Sequence, residues 1–242
     1  MPEFGDDVFG RLASLEGVPS ALAAARDAVD ILLSDRRRAR STGATTAESL
    51  LLGAAASAQL AGSRASVADL RAGEGDDVAL RAARLNAGLL NLVPVVGRSP
   101  AQALARLHVL AATGAVETER LGRPRPGAAV GARLAALLER LARPTTAPAI
   151  AVAALAHAEV VTVAPFESDN DLVARALERL LLVARGLDPV SSTVPEAGHL
   201  ALGERYRQAL RGYADGGEAG CGAWLRYAAR ALAEGVAASP LA

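Results

Sequence analysis

Lysine is missing from this chain: all 26 of its basic residues are arginine. With so much Ala and Gly around them, this reads as high-GC coding bias rather than selection for the guanidinium group. The arginines are balanced by 26 Asp and Glu, so the formal net charge is zero. No global field draws such a chain to nucleic acid or to anionic lipid. A single cysteine, Cys221, excludes a disulfide framework and any Cys-rich zinc site. Aromatic residues make up only 3%. The core must then be built from Ala, Leu and Val, which favours close-packed helices over a β-sandwich. No uncharged apolar run reaches the roughly 18 residues of a membrane span. The longest candidate, Ala147–Ala164, contains His157 and Glu159 and suits a buried helix better. The first 17 residues lack a positive segment ahead of an apolar one, so no signal peptide is expected and a cytoplasmic location is.

What is present is helical punctuation. Pro19 suits the first turn of a helix running to about Arg40, which ends in the cluster Arg36-Arg37-Arg38-Ala39-Arg40. Cations at a helix C-terminus complement its dipole, so the cluster reads as a solvated end rather than a phosphate patch. Thr45-x-x-Glu48 and Ser66-x-x-Asp69 read as helix starts, the first opening a helix to about Leu60 that Gly62 ends. Further helices are expected over 74–93, 100–113, 128–142, 147–163, 171–185, 196–213 and 219–235. The stretch 114–127 is the least helical and carries Pro124 and Pro126. A chain of 242 residues supports one good core.

The organising stretch is the polar loop between the apolar helix at 147–163 and the amphipathic helix that leaves it. It reads Ala164-Pro165-Phe166-Glu167-Ser168-Asp169-Asn170-Asp171-Leu172-Val173-Ala174-Arg175. Pro165, Phe166, Asn170 and Arg175 match a known pattern, H-x-F-x-[DE]-G-N-G-R-x-x-R, commonly with Pro second. The loop thereby resembles the signature of the Fic (Fido) family, whose members mostly move AMP from ATP onto a protein hydroxyl. A second point of likeness is Ser57-Ala58-Gln59-Leu60-Ala61-Gly62, which resembles the family's inhibitory-helix pattern [ST]-x-x-x-E-[GN] with Ala61 in the glutamate's place. Arg185-Gly186-Leu187-Asp188-Pro189 and Pro195-Glu196-Ala197-Gly198-His199 are also similar to Fic-like proteins of high-GC bacteria.

The resemblance implies an all-α fold: a single-domain Fic-like helical bundle of eight or nine helices over 18–242, after a partly ordered lead-in at 1–17. Active relatives carry a β-hairpin flap where 114–127 stands here, so the flap is expected to be reduced or absent. The resemblance also assigns roles, and most are vacated. Ala164 replaces the catalytic His, Ser168 the metal-holding carboxylate, Asp169 and Asp171 the two glycines, and Leu172 the first arginine. Losing a general base costs about two to four orders of magnitude. The acids add charge where a phosphate would sit; two unit charges at about 4 Å repel by roughly 4 kcal/mol at an effective dielectric near 20. No catalytic residue, metal ligand or cofactor is expected. Phe166, Asn170 and Arg175 remain as a nucleotide-binding remnant, which leaves residual nucleotide binding open.

The same residues make sense structurally. Ser168, Asp169, Asn170 and Asp171 are N-cap formers, Asp171 and Arg175 stand at the i,i+4 spacing of a helix ion pair, and Phe166 is a core anchor. The leading expectation is a degenerate Fic protein without AMP transfer that acts by binding another protein, with no membrane or nucleic-acid partner and self-association left open. Two rivals stand beside it. One is an enzyme with altered nucleotide or phosphate-transfer chemistry at 164–175, drawing on His157 or Glu159. The other is a purely structural helical adaptor. His157-x-Glu159 lacks the P-C-x-x-C of zinc deaminases. The alternating acids of the loop lack the glycine of a calcium loop. Arg123-Pro124-Arg125-Pro126 is one copy of a minor-groove arm on a neutral protein and reads as a rigid surface loop.

Overall fold

The computed structural model describes residues 7–34 and 43–242, so the Arg36–Arg40 cluster and the end of the helix expected to reach it lie outside the described residues. The described chain forms α1 (Val8–Ala13), α2 (Val18–Ser34), α3 (Gly43–Leu60), α4 (Val67–Ala72), α5 (Asp77–Leu89), α6 (Val93–Val96), α7 (Pro100–Ala112), α8 (Ala128–Ala142), α9 (Ala149–Val163), α10 (Asn170–Ala184), α11 (Pro195–Leu202), α12 (Glu204–Asp215) and α13 (Gly217–Ala237). Nine of these have twelve or more residues, and α1, α4, α6 and α11 are short connectors. No strand occurs among the described residues. The flap region holds a 3₁₀ turn at Thr118–Arg120 and one isolated bridge from Thr113 to Val116. Nor is any described helix long and apolar enough to cross a membrane.

At the centre lies α9. It is apolar all round, and eleven of its fifteen residues are buried, as expected of a helix with no solvent face. α10 folds back on it, and α13 packs Trp224 against it. The Trp224 indole N–H donates to the Ala154 carbonyl at 2.7 Å, which lets the largest aromatic of the core bury completely. Elsewhere small residues set the spacing. A Cβ at Gly198 of α11 would stand 1.8 Å from the Ala231 carbonyl oxygen of α13, and one at Gly235 would stand 2.6 Å from the Val194 carbonyl. These two helices therefore touch backbone to backbone.

Several helix boundaries differ from the sequence reading, each for a local reason. α3 begins at Gly43, upstream of Thr45, so the capping box expected at Thr45–Glu48 lies inside the helix and Glu48 pairs with Arg71 of α4 instead. The Ser66–Asp69 capping box forms as expected. The helix expected over 74–93 starts at Asp77 behind the Asp76 cap and loosens into a 3₁₀ turn before α6. The single helix expected over 196–213 is two, because Gly203 adopts φ 56°, ψ −127°, a conformation open to glycine. Within the expected lead-in, α1 packs Phe9 and Leu12 into the core, and Asp7 caps it while accepting from Thr145 and Thr146. Those bonds hold the Asp7 carboxyl at about 2, against the opposing effect of burial.

The glycine contacts predict opposite outcomes for one substitution. Gly198→Ala should lower the unfolding free energy by about 3 kcal/mol, because backbone rather than a flexible side chain must yield. Gly131→Ala, where a Cβ in α8 meets nothing, should raise it by about 0.5–1 kcal/mol. Denaturant unfolding of the two variants checks both.

Candidate functional site

The loop from α9 to α10 is held from three sides. α9 ends at Ala164 in a left-handed conformation, φ 45°, with its N–H on the Val160 carbonyl. Phe166 is buried and stacks face to face on His108 of α7, ring centroids 4.0 Å apart. Asn170 closes the loop like a piece of backbone: its Oδ1 accepts from the Phe166 N–H and its Nδ2–H donates to the Phe166 carbonyl, both at 2.9 Å. From outside, the Arg125 backbone N–H donates to the Pro165 carbonyl at 2.7 Å. Its guanidinium takes the carbonyls of Ala164 and Val163. The segment that stands in the flap's place, expected to hold a reduced flap or none, is thus a strap, and its arginine is spent inside the protein rather than on a groove of DNA.

The carboxylates do not cap α10 as expected. Asp169 stands at the N-cap with φ 57°, the left-handed region its motif position gives to glycine, and no side chain bonds the first amides of the helix. Its carboxylate turns instead to Arg81 of α5 at 3.1 Å and accepts from Ser168 Oγ at 2.7 Å. Asp171 is exposed and makes no hydrogen bond or ion pair among the described residues, so the expected Asp171–Arg175 pair does not form. Arg175 points inward instead, almost fully buried. Its Nε–H donates to Ser57 Oγ at 2.7 Å, its Nη2–H to the Ser57 carbonyl at 3.0 Å and its Nη1–H to the Tyr206 hydroxyl at 3.2 Å. Ser57 is the first residue of the inhibitory-helix remnant, so the two motifs meet in space.

Above this contact opens a cleft of about 410 Å³ lined by Ala61, Arg81, Ala164, Asp169, Asn170 and Asp171, with Val78, Val161 and Leu172 as apolar wall. Asn170 thus reaches the cleft, while Phe166 and Arg175 do not line it. His157 and Glu159, the groups an altered enzyme would use, are elsewhere. Glu159 accepts two bonds from Arg133 of α8, at 2.9 and 2.8 Å, and a third from Tyr213 of α12. Cys221 is half-buried, and burial with Glu159 and Glu218 nearby pushes its thiol up, away from reactivity.

The sequence reading missed what lies behind Arg175. His157 of α9, Glu178 of α10 and His199 of α11 converge in the core, their ligand atoms within 4.8 Å of one another. Glu178 Oε2 accepts from His157 Nδ1–H at 2.5 Å and from His199 Nε2–H at 2.9 Å. A carboxylate only accepts, so these two nitrogens carry protons, and in neutral rings the opposite ones are acceptors. Tyr206 O–H fills His157 Nε2 at 2.8 Å, and Tyr227 O–H fills His199 Nδ1 at 3.1 Å. With both imidazoles neutral, every bond is matched, and the Glu178 charge balances Arg175 through Tyr206 and His157. Burial opposes ionisation of Glu178, but His199 and His157 outweigh it and hold the carboxyl far below its usual range. Burial is also the main cause that drives His157 down, with Glu178 opposing. Tyr206 is pushed up to about 12, chiefly by burial. A second buried pair lies one turn on: Arg179 meets Glu196 of α11 through Nε and Nη2 at 2.9 and 2.6 Å, and Ser49 of α3 and Ser191 through Nη1.

This cluster fixes the direction of pH dependence. An unfolded imidazole takes up a proton near 6.5, whereas folded His157 resists it, so below that pH the unfolded state binds more protons and stability falls. Glu178 adds in the same direction, since its stabilising charge is lost as the pH falls below the ordinary carboxylate value of 4.5. The unfolding free energy should be flat above pH 6.5 and drop progressively below it, as denaturant titrations across that range would show.

No protein-family model matches the sequence, and no curated protein matches it. Solved structures do match. A Fic family protein from Desulfovibrio desulfuricans G20 superposes with a TM-score of 0.73 at 17% identity, over 90% of this chain and 73% of that one. Two structures of Fic-1 from C. elegans superpose with TM-scores of 0.65 and 0.63 at 18% and 17% identity, each over 91% of this chain and 71% of theirs. At such identities the likeness is one of architecture, and this chain has the Fic fold.

Proposed function

We propose that this protein is a Fic-fold chain that has lost AMP transfer and works by binding another protein, with the cleft beside α10 as its contact. The observation that carries this reading is the position the resemblance gives to the base. Ala164 stands there in a left-handed turn, its carbonyl held by Arg125, and no imidazole lines the cleft. The arginine that would meet a phosphate is buried against Ser57 and Tyr206. The cation that remains, Arg81, is paired with Asp169. A protein retaining this scaffold without base, metal ligand or free arginine keeps a shaped surface and little chemistry.

One observation favours a second reading, residual nucleotide binding. The first turn of α10 has no side-chain cap, and uncapped amides at a helix N-terminus attract anions. Against it, Asp171 places an unpaired carboxylate at the same turn.

Incubation with labelled ATP, magnesium and cell extract tests the proposal. No label should pass to any protein, and Arg81→Ala should not alter that result. Transfer of AMP that Asn170→Ala abolishes would refute it. Calorimetry with ATP separates the second reading: measurable binding weakened by Arg81→Ala would establish a retained nucleotide site.

A further inference from the structure

The hydrogen-bonded chain behind the cleft has a property that a packing role does not need. It runs without a break from Ser57 of α3 through Arg175, Tyr206, His157, Glu178 and His199 to Tyr227, a half-buried hydroxyl on α13. Six helices contribute to it. Its two ends differ in kind. At one end Arg175 ties α3 to α10 one turn below Ala61 and Asp171, which line the cleft. At the other end Tyr227 is half-buried, the member of the chain that stands nearest to solvent on α13.

A divalent cation suits this cluster poorly. It would stand close to the Arg175 guanidinium with one carboxylate to balance both, and it would displace two imidazole N–H bonds already made to that carboxylate. A proton suits it differently. The groups that face His157 are Glu178 and Arg175 from α10, His199 from α11 and Tyr206 from α12, with Trp224 of α13 edge-on at 5.3 Å. Asp171 acts on Tyr206 from the cleft side. When His157 gains a proton on Nε2, it turns from acceptor to donor. The Tyr206 oxygen then faces two cationic donors, His157 and Arg175, and its own hydroxyl hydrogen loses the acceptor it had.

We propose that the His157–Glu178–His199 cluster is a proton-operated latch on the cleft: protonation evicts Arg175 from its seat on Tyr206 and Ser57 and loosens the seam between α3 and α10. Use of the cleft for binding is the reading given above; the latch itself needs no ligand, so the two fail separately. The step is a single proton uptake with no other reactant.

The test reads both ends of the chain at once. Trp224 is the sole tryptophan and packs edge-on against the His157 ring, so its fluorescence reports protonation there. Amide exchange at Ala54–Ala61 reports the seam. As the pH is lowered from about 7.5 to about 4, Trp224 should be quenched, with onset below the ordinary imidazole value because burial drives His157 down, and the protection factors of Ala54–Ala61 should fall at least about tenfold, in step, while those of α8 hold. Tyr206→Phe should keep the quenching but remove the pH dependence at Ala54–Ala61, because the bridging hydroxyl is gone. Should that variant fold poorly, Ser57→Ala in the same assay should leave the seam loosened at every pH. Quenching without loss of seam protection would overturn the latch. So would loss of protection spread equally over the chain, or the absence of any quenching in this range.

Discussion

Burying three charged side chains on one helix is the constraint around which the structure is arranged. Arg175, Glu178 and Arg179 of α10 are each almost inaccessible to solvent. Leaving one such charge without its partner costs about 3–5 kcal/mol, so the neighbouring elements must supply partners for all of them. They do so helix by helix. α3 gives Ser57 and Ser49, α9 gives His157, α11 gives His199 and Glu196, and α12 gives Tyr206. The break at Gly203 belongs to the same requirement, since it ends α11 and starts α12 where Tyr206 can turn into the core. The loop at 188–193 follows too: Asp188 accepts from the backbone and hydroxyls of Ser192 and Thr193 and so holds Ser191 against Arg179.

Turning Arg175 inward also decides what the cleft can do. A guanidinium with bonds to Ser57 and Tyr206 is part of the scaffold, and the loop in front of it is closed by Asn170 on Phe166 rather than by a ligand. Asp169 keeps the left-handed backbone of its glycine position but spends its charge on Arg81. The strap at Arg125 holds the carbonyls that end α9. These are contacts of a loop made self-sufficient, with Asp171 making no hydrogen bond or ion pair among the described residues.

Much of this was legible in sequence. The all-helical class followed from an Ala-, Leu- and Val-rich composition with few aromatics, and the loop's likeness followed from Phe166, Asn170 and Arg175. The buried cluster was not legible. Arg175, Glu178 and Arg179 fall at i, i+3 and i+4, the spacing of a solvated stripe, and periodicity cannot tell a charged face turned to water from one turned to a polar core. Their partners are 12 to 130 residues away, on elements whose packing no local pattern states. The missed cap has a similar cause. Four N-cap formers in a row promise a cap, but Arg81, 88 residues upstream of Asp169, competes for the carboxylate and wins.

The most direct measurement of this account is the side-chain NMR signal of Arg175 in the whole protein. A guanidinium locked between Ser57 and Tyr206 should show a slowly exchanging Nε–H resonance that Ser57→Ala shifts and that added magnesium-ATP leaves in place. A rapidly exchanging signal that moves when the nucleotide is added would contradict it, for Arg175 would then be facing the cleft.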